Sequence, residues 1–266
     1  MNILFLGDIV GRPGRTSVAR WLPKLRRTHP IDFVVANAEN AAGGTGATPD
    51  VLDELKRHGV EAFTMGNHVW SKKNLLAALA RFPEMARPAN YPDGAPGQGA
   101  IIVETSKGVK VGLLNLLGRV YMDPLDCPFR AADLALEALR AETPIVLVDM
   151  HAEATSEKIA MGWYLDGRCS AVLGTHTHVQ TADEWIMPQG AAYITDVGMC
   201  GPLHSVLGVD RNIIIDRFLS GMPARFELAK GPLVLSAVLL EVDEATGRAR
   251  HIERICMRES DADANA

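Results

Sequence analysis

Long apolar runs, an excess of basic charge and paired cysteines are all missing from this 266-residue chain. No apolar run approaches the ~20 residues of a membrane span. The apolar stretch in MNILFLGDIV is too short for a secretory core and carries no positive leader, so a cytoplasmic protein with no membrane partner is expected. A net charge of −5 gives no general pull toward duplex DNA or anionic lipid. The four cysteines, Cys127, Cys169, Cys200 and Cys256, are far apart and show no CxxC spacing. That excludes a disulfide framework and a thiolate zinc site, and predicts reduced, mostly structural thiols, with Cys200 in DVGMCGP the one placed to lie near a site. The glycines at 7, 11 and 14 do not make GxGxxG, which argues against a dinucleotide fold. Neither a repeat nor a Pro/Gly/Ser-rich linker divides the chain, so a single domain over residues 1–258 is expected. The remaining tail, ESDADANA at 259–266, is expected to be disordered.

What is present is a series of short apolar runs, at 2–6, 32–36, 61–65, 100–104, 109–116, 144–149, 170–174, 191–195 and 233–242. Many are continuously apolar, as strands buried on both faces should be. Residues 49–58 predict a helix, with Thr48 as N-cap, Pro49 at its first position, Val51, Leu52 and Leu55 on one face, and a stop before Gly59. Residues 71–82 predict another, from Leu75, Leu76, Leu79 and Phe82 at helical spacing. Hairpins are predicted at Lys107–Gly108 and around Thr246–Gly247. Alternating β/α units with added hairpins point to an α/β fold in which mixed sheets pack face to face with helices outside.

The chemistry gathers at strand ends. Asp8 follows the first strand in GDIVG, Glu39 and Asn40 follow the second in VVANAEN, and Asn67 and His68 follow the third in FTMGNHV. His151 closes the apolar run of VLVDMHAEAT, and His176 and His178 lie just past a strand in VLGTHTHVQ. Strand ends on one sheet edge open onto a crevice, where α/β folds place their sites. If THTH stays extended, the i, i+2 histidines point to one side and can serve two neighbouring ions. Two carboxylates, two carboxamides and four histidines suit Mn, Fe, Zn, Ni or Co better than calcium. Glu39, with two oxygens, is the natural bridge between two ions. Asp149, Glu153, Asp183 and Asp196 are candidates for supporting bonds to the histidines, and Arg12 and Arg15 for steering phosphate, although a loop-to-helix start more often leaves such arginines solvated.

These five segments, in this order, resemble the calcineurin-like metallophosphoesterases, whose general pattern is DxH, GDxxD, GNH, a lone His and GHxH. The chain departs from that pattern with Val10 in place of the first His, Glu39 and Asn40 where GDxxD begins, and GTHTH for GHxH. The departures, together with GDIVGRPGR, NAENAAGG, GNHVW, THTHVQTADE and TDVGMCGP, are similar to the bacterial YmdB-like branch. The resemblance implies a four-layer metallophosphoesterase sandwich with a dinuclear iron or manganese centre that hydrolyses 2',3'-cyclic nucleotides to nucleoside 3'-phosphates. It places the first ion on Asp8, Glu39, Asn40 and His178, and the second on Glu39, Asn67, His151 and His176. A hydroxide bridging the ions would attack phosphorus, and His68 would protonate the leaving ribose 2'-oxygen. Many relatives follow GNH with an acid that orients this His, whereas here Val69 follows and the orienting partner is not evident.

Two other readings stay open at this level. The same centre fits a phosphomonoester, a linear phosphodiester or an RNA end, because the motifs specify phosphoryl chemistry and leave the leaving group free. A regulatory protein acting through partners would keep the metals for structure. A homo-oligomer is expected only as a base rate for soluble enzymes.

Overall fold

Residues 1–260 are described by the computed structural model. The first strand already shows how the layers divide. In β1 (Asn2–Leu6), Leu4 and Leu6 enter one apolar cluster while Ile3 and Phe5 enter another, because successive side chains of a strand point to opposite faces. After β1 the chain makes β2 (Asp8–Ile9), α1 (Gly11–Thr28), β3 (Phe33–Asn37), α2 (Pro49–Arg57), β4 (Ala62–Thr64), the short α3 (Lys73–Leu76) and β5 (Met85–Ala86). The second half supplies β6 (Ala100–Glu104), β7 (Lys110–Leu117), α4 (Pro128–Glu142), β8 (Val146–His151), α5 (Thr155–Leu165), β9 (Ala171–Thr175), β10 (Trp185–Ile186) and β11 (Ala192–Ile194). The chain then returns through β12 (Met199–Pro202), α6 (Arg211–Ser220), β13 (Leu233–Val242) and β14 (Ala249–Arg258).

One sheet runs β2-β12-β13-β1-β3-β4-β5, with β14 on the other side of β13. The second runs β10-β11-β9-β8-β7-β6. In the first sheet β1, β3, β4 and β5 are parallel, and in the second β7, β8, β9 and β11 are parallel. Phe5, Val35, Leu113, Leu147, Leu173 and Val238 fill the space between the sheets. Leu22 and Leu25 of α1 and Leu52 and Leu55 of α2 cover the far side of the first sheet. Leu136 and Leu139 of α4 and Met161 and Leu165 of α5 cover that of the second. The result is the expected four-layer sandwich, two mixed sheets face to face with helices outside.

Local chemistry sets the start of α2. Thr48 Oγ1 accepts the Val51 N–H at 3.4 Å, and Pro49 opens α2, as its sequence predicts. Both predicted hairpins form, β6 with β7 and β13 with β14. The single helix expected over 71–82 is instead α3 followed by a 3₁₀ turn at Leu79–Arg81. Of its four apolar positions only Leu75 and Phe82 are fully buried, so no continuous stripe holds a longer helix against the core and tertiary packing overrides propensity. Most of the expected tail, 261–266, lies outside the described residues. Glu259 is described, and it is buried, pairing with Arg20 and accepting the Leu233 N–H at 3.0 Å. All four cysteines are free. Among the described residues no helix is long and apolar enough to cross a membrane.

Candidate metal centre where the two sheets meet

The parallel strands of both sheets end at one crevice, and each sheet delivers a different kind of side chain to it. Asp8 enters from the first sheet because the chain bends at Gly7 to leave β1 and pair with β12, Asp8 lying opposite Met199. A side chain at Gly7 would put its Cβ 2.0 Å from the Gly198 carbonyl oxygen, so only glycine allows this approach. Glu39 and Asn40 follow β3, held by Asn37, whose Oδ1 accepts the Glu39 N–H at 3.1 Å. Asn67 and His68 follow β4, and the His68 N–H donates to Glu39 Oε2 at 3.1 Å.

The second sheet brings the imidazoles. His151 ends β8, fully buried, with Nδ1 2.8 Å from Thr175 Oγ1, which itself donates to Asp149 Oδ1 at 2.6 Å. This chain of bonds turns Nε2 toward Asn67 Oδ1 at 3.1 Å, Glu39 Oε1 at 3.2 Å and His176 Nδ1 at 3.1 Å. The THTH segment does not stay extended. The strand stops at Thr175, and His176 and His178 take φ of +92° and +64°. Such left-handed backbone in non-glycine residues costs roughly 1–3 kcal/mol each and persists only where the surroundings enforce it. Here Asp196 Oδ2 accepts both the N–H and the hydroxyl of the intervening Thr177, at 3.1 and 2.6 Å, and is paired with the buried Lys158 Nζ at 2.8 Å.

Two groups of donors result, with Glu39 in both. His178 Nε2 lies 3.8 Å from Asp8 Oδ1 and 3.2 Å from Asn40 Nδ2, which donates to Glu39 Oε1 at 2.9 Å. On the other side are His151, His176 and Asn67 around Glu39. All eight residues singled out by sequence are thus brought together. His68 stands apart from the ring of donors: its Nδ1 is 2.9 Å from Asn40 Oδ1 and 3.4 Å from Glu39 Oε1, and its side chain is 35% exposed toward solvent. Since a carboxamide oxygen only accepts, Nδ1 bears the hydrogen. Asn40 and Glu39 therefore supply the orientation that Val69, fully buried, does not.

The electrostatics are those of charges crowded away from water. Burial works against the His151 imidazolium, but the carboxylates of Glu39, Asp8 and Asp149 outweigh it and lift the pKa to about 9. Burial and the neighbouring His151 push His176 down to about 3. Burial raises Asp8 to about 6 against the pull of His178 and His151, while for Glu39 the same penalty is overcome by His151 and His68, leaving it well below the usual carboxylate range.

Three observations fit a metal ion. Asp8 Oδ1 is buried with no hydrogen-bond partner, although buried polar atoms are almost always satisfied. Ligand atoms of Glu39, His151 and His176 all lie within 4.8 Å of one another. At Gly66 a Cβ would fall 2.3 Å from both Glu39 Oε2 and His151 Nε2, so the wall of the cradle has no room for a side chain. The mixed O/N donors match a divalent transition metal.

Of the four acids expected to support the histidines, three do so. Asp149 acts through Thr175, Glu153 Oε2 is 3.3 Å from His176 Nε2, and Asp196 braces the THTH turn. Asp183 instead holds the backbone and hydroxyl of Thr195. Arg12 is exposed at the start of α1. Arg15 is committed to Glu54 at 2.9 Å and the Ala41 carbonyl at 2.7 Å, which leaves it a structural part. Cys200 is buried opposite Ile9 of β2, its Sγ 3.5 Å from the Ser236 carbonyl. Sequence reasoning missed Asn37, Thr175 and Lys158. Lys158, a charge fully buried on helix α5, shows nothing unusual until its partner Asp196 is seen.

Comparison with known proteins follows the same line. The family model described as YmdB-like protein matches residues 4–255. The chain is 48% identical over 259 residues to the 2',3'-cyclic-nucleotide 2'-phosphodiesterase of Bacillus subtilis (strain 168), covering 97% of this chain and 98% of that protein. Among solved structures, a hypothetical protein from Thermus thermophilus superposes with TM-score 0.91 at 43% identity, over 98% of this chain and all of that one. A Mycoplasma pneumoniae protein described as a novel phosphatase superposes with TM-score 0.92 at 37% identity, over 98% and 94%. The motifs, the four-layer fold and these matches agree, and the chain belongs to the YmdB-like family.

Proposed function

We propose that this protein is a cytoplasmic, metal-dependent phosphodiesterase that opens 2',3'-cyclic nucleotides to nucleoside 3'-phosphates. The observation that carries the reading is the unsatisfied Asp8 Oδ1 facing a carboxylate–imidazole cluster in a chain 48% identical to a protein named for that activity. Asp8, Glu39, Asn40 and His178 would hold one ion and Glu39, Asn67, His151 and His176 the other, iron or manganese being preferred. Such ions supply Lewis acidity toward phosphoryl oxygens and a water acidic enough to react at neutral pH.

The chain's own groups do the rest. The Asp149–Thr175–His151 bonds hold one imidazole edge toward the centre, and Asp196 keeps His176 and His178 in a backbone conformation they would not otherwise adopt. As water adds to phosphorus and gives up a proton to solvent, the bond from phosphorus to the ribose 2'-oxygen breaks. His68, beside the centre and 35% exposed, hands that oxygen a proton. General acid help of this kind is worth about 10²- to 10⁴-fold.

The test is elemental analysis of the purified protein joined to a substrate panel before and after chelation. Close to two transition-metal ions per chain, chelator-sensitive turnover of 2',3'-cyclic AMP, and release of adenosine 3'-phosphate are expected. Preference for 3',5'-cyclic AMP or for p-nitrophenyl phosphate esters would assign the centre to another phosphoester. Metal binding without any turnover would make the protein a regulator.

A further inference from the structure

A cleft of about 450 Å³ opens over the centre, lined by Asn67, His176, Tyr121, Met122 and Asp123. Its size falls in the range of roughly 300–1,000 Å³ usual for small-molecule sites. Asn67 and His176 are its polar floor. The other three come from the segment between β7 and α4, which nothing in the sequence marked as functional. Tyr121 is 91% exposed, the most exposed of the large hydrophobic side chains. It also has φ +61°, a conformation that an aromatic residue adopts only when something enforces it.

The segment is pinned at both ends. The Gly118 N–H donates to the carbonyl of His151, which ties the start of the loop to a residue of the centre, at 2.9 Å. The Arg119 and Val120 N–H groups donate to the Glu157 carboxylate at 3.0 and 3.1 Å. Further along, the Asp126 N–H donates to the Asn90 carbonyl at 3.1 Å, and Asn90 Nδ2 donates to the carbonyls of Leu117 and Asp126 at 2.9 and 3.0 Å. A loop whose backbone is this well anchored has been given one solvent-facing ring at a fixed place beside the centre. Solvation alone gives no reason to hold a phenol ring there, because exposing it gains nothing and the left-handed backbone costs stability.

We propose that Tyr121 is the platform on which the nucleobase of the substrate stacks, with Met122 as the apolar wall beside it. The inference rests on the phosphodiesterase reading and deepens it, since it names the residue that recognises the base of the nucleotide. With the phosphate over Asn67 and His176, the base lies out along the cleft toward Tyr121. A π-face offers stacking to every base, so the platform selects for a base without choosing among bases.

The experiment measures kcat/KM of the manganese-loaded protein for 2',3'-cyclic AMP and for 1-O-methylribose 2',3'-cyclic phosphate, which lacks a base. In parallel, calorimetry measures binding of adenosine 3'-phosphate and of 1-O-methylribose 3-phosphate. Tyr121→Ala should lower the preference for the base-bearing compound about 5- to 150-fold, the range for losing one aromatic–base stack, both in kcat/KM and in affinity. Tyr121→Trp should keep that preference. Equal preference in wild type and Tyr121→Ala overturns the platform, as it would if Tyr121 served to dock another protein. Absence of turnover in the wild type would reject the phosphodiesterase reading, while the binding comparison would still decide the role of Tyr121.

Discussion

The two sheets furnish unlike halves of one site. The first gives oxygen donors, Asp8 from β2 and Glu39, Asn40 and Asn67 from the loops after β3 and β4, together with His68. The second gives only imidazoles, His151 from the end of a strand and His176 and His178 from a strained turn after one. The oxygen side is anchored through backbone, as where Glu39 takes the His68 N–H. The imidazole side is anchored through buried side chains, Asp149 with Thr175 and Lys158 with Asp196. Neither half is a site alone. Assembly waits on the Phe5–Leu113–Leu147 layer that brings the sheets together, which means the binding of an ion to both halves also stabilises the packed state over the unfolded one.

Glu39 is where the halves join, and changing it should break the comparison most completely. Glu39→Gln should lose most bound metal and reduce turnover by more than the roughly 10²-fold that follows from losing a supporting bond. Metal content by elemental analysis and initial rates check this. Retention of both ions would show that the halves bind separately. His68 and His176 sharpen the contrast. His68→Ala should retain its metal while turnover falls about 10²- to 10⁴-fold, whereas His176→Ala should cost an ion. Equal metal loss in the two variants would place His68 among the ligands.

The difference between the halves also explains what could be read from sequence. Asp8, Glu39, Asn40, Asn67, His68, His151, His176 and His178 were legible because each ends an apolar run, and a parallel strand must deliver its end to a common edge. The layers were legible for the same reason, from β1 and β3 through β13. The supports were not. Thr175 and Lys158 are ordinary residue types whose roles depend on contacts across 26 and 38 positions with Asp149 and Asp196. The turn at THTH was not legible because a hydrogen-bonded cage, invisible in local sequence, overrides backbone preference there. The helix over 71–82 failed in the opposite way: its spacing was right, but the core accepts only Leu75 and Phe82.

Thr175 allows a milder cut through the imidazole half alone. Thr175→Val keeps the volume and removes the hydroxyl between Asp149 and His151. Metal affinity should fall about 10- to 100-fold, with the oxygen half unaffected in structure. Titration with manganese followed by elemental analysis reads the loss. An unchanged affinity would mean that packing alone orients His151.

The smallest expected effect is a change of affinity with pH, and its sign follows from which half carries protons. In the metal-free protein His151 has a pKa of about 9, so at neutral pH it is protonated and an ion must displace that proton. His176, at about 3, is already neutral and contributes no proton. Glu39 is held ionised, and Asp8, at about 6, adds a second competing proton only below that pH. Manganese affinity should therefore rise about tenfold per pH unit between pH 7 and 8, level off above about 9, and steepen below about 6. Calorimetry in buffers of different ionisation enthalpy should find close to one proton released at pH 7.5. Release of none would mean that Glu39 and Asp8 fail to hold a proton on His151 across the sheet boundary, and that the two halves are electrostatically independent before metal arrives.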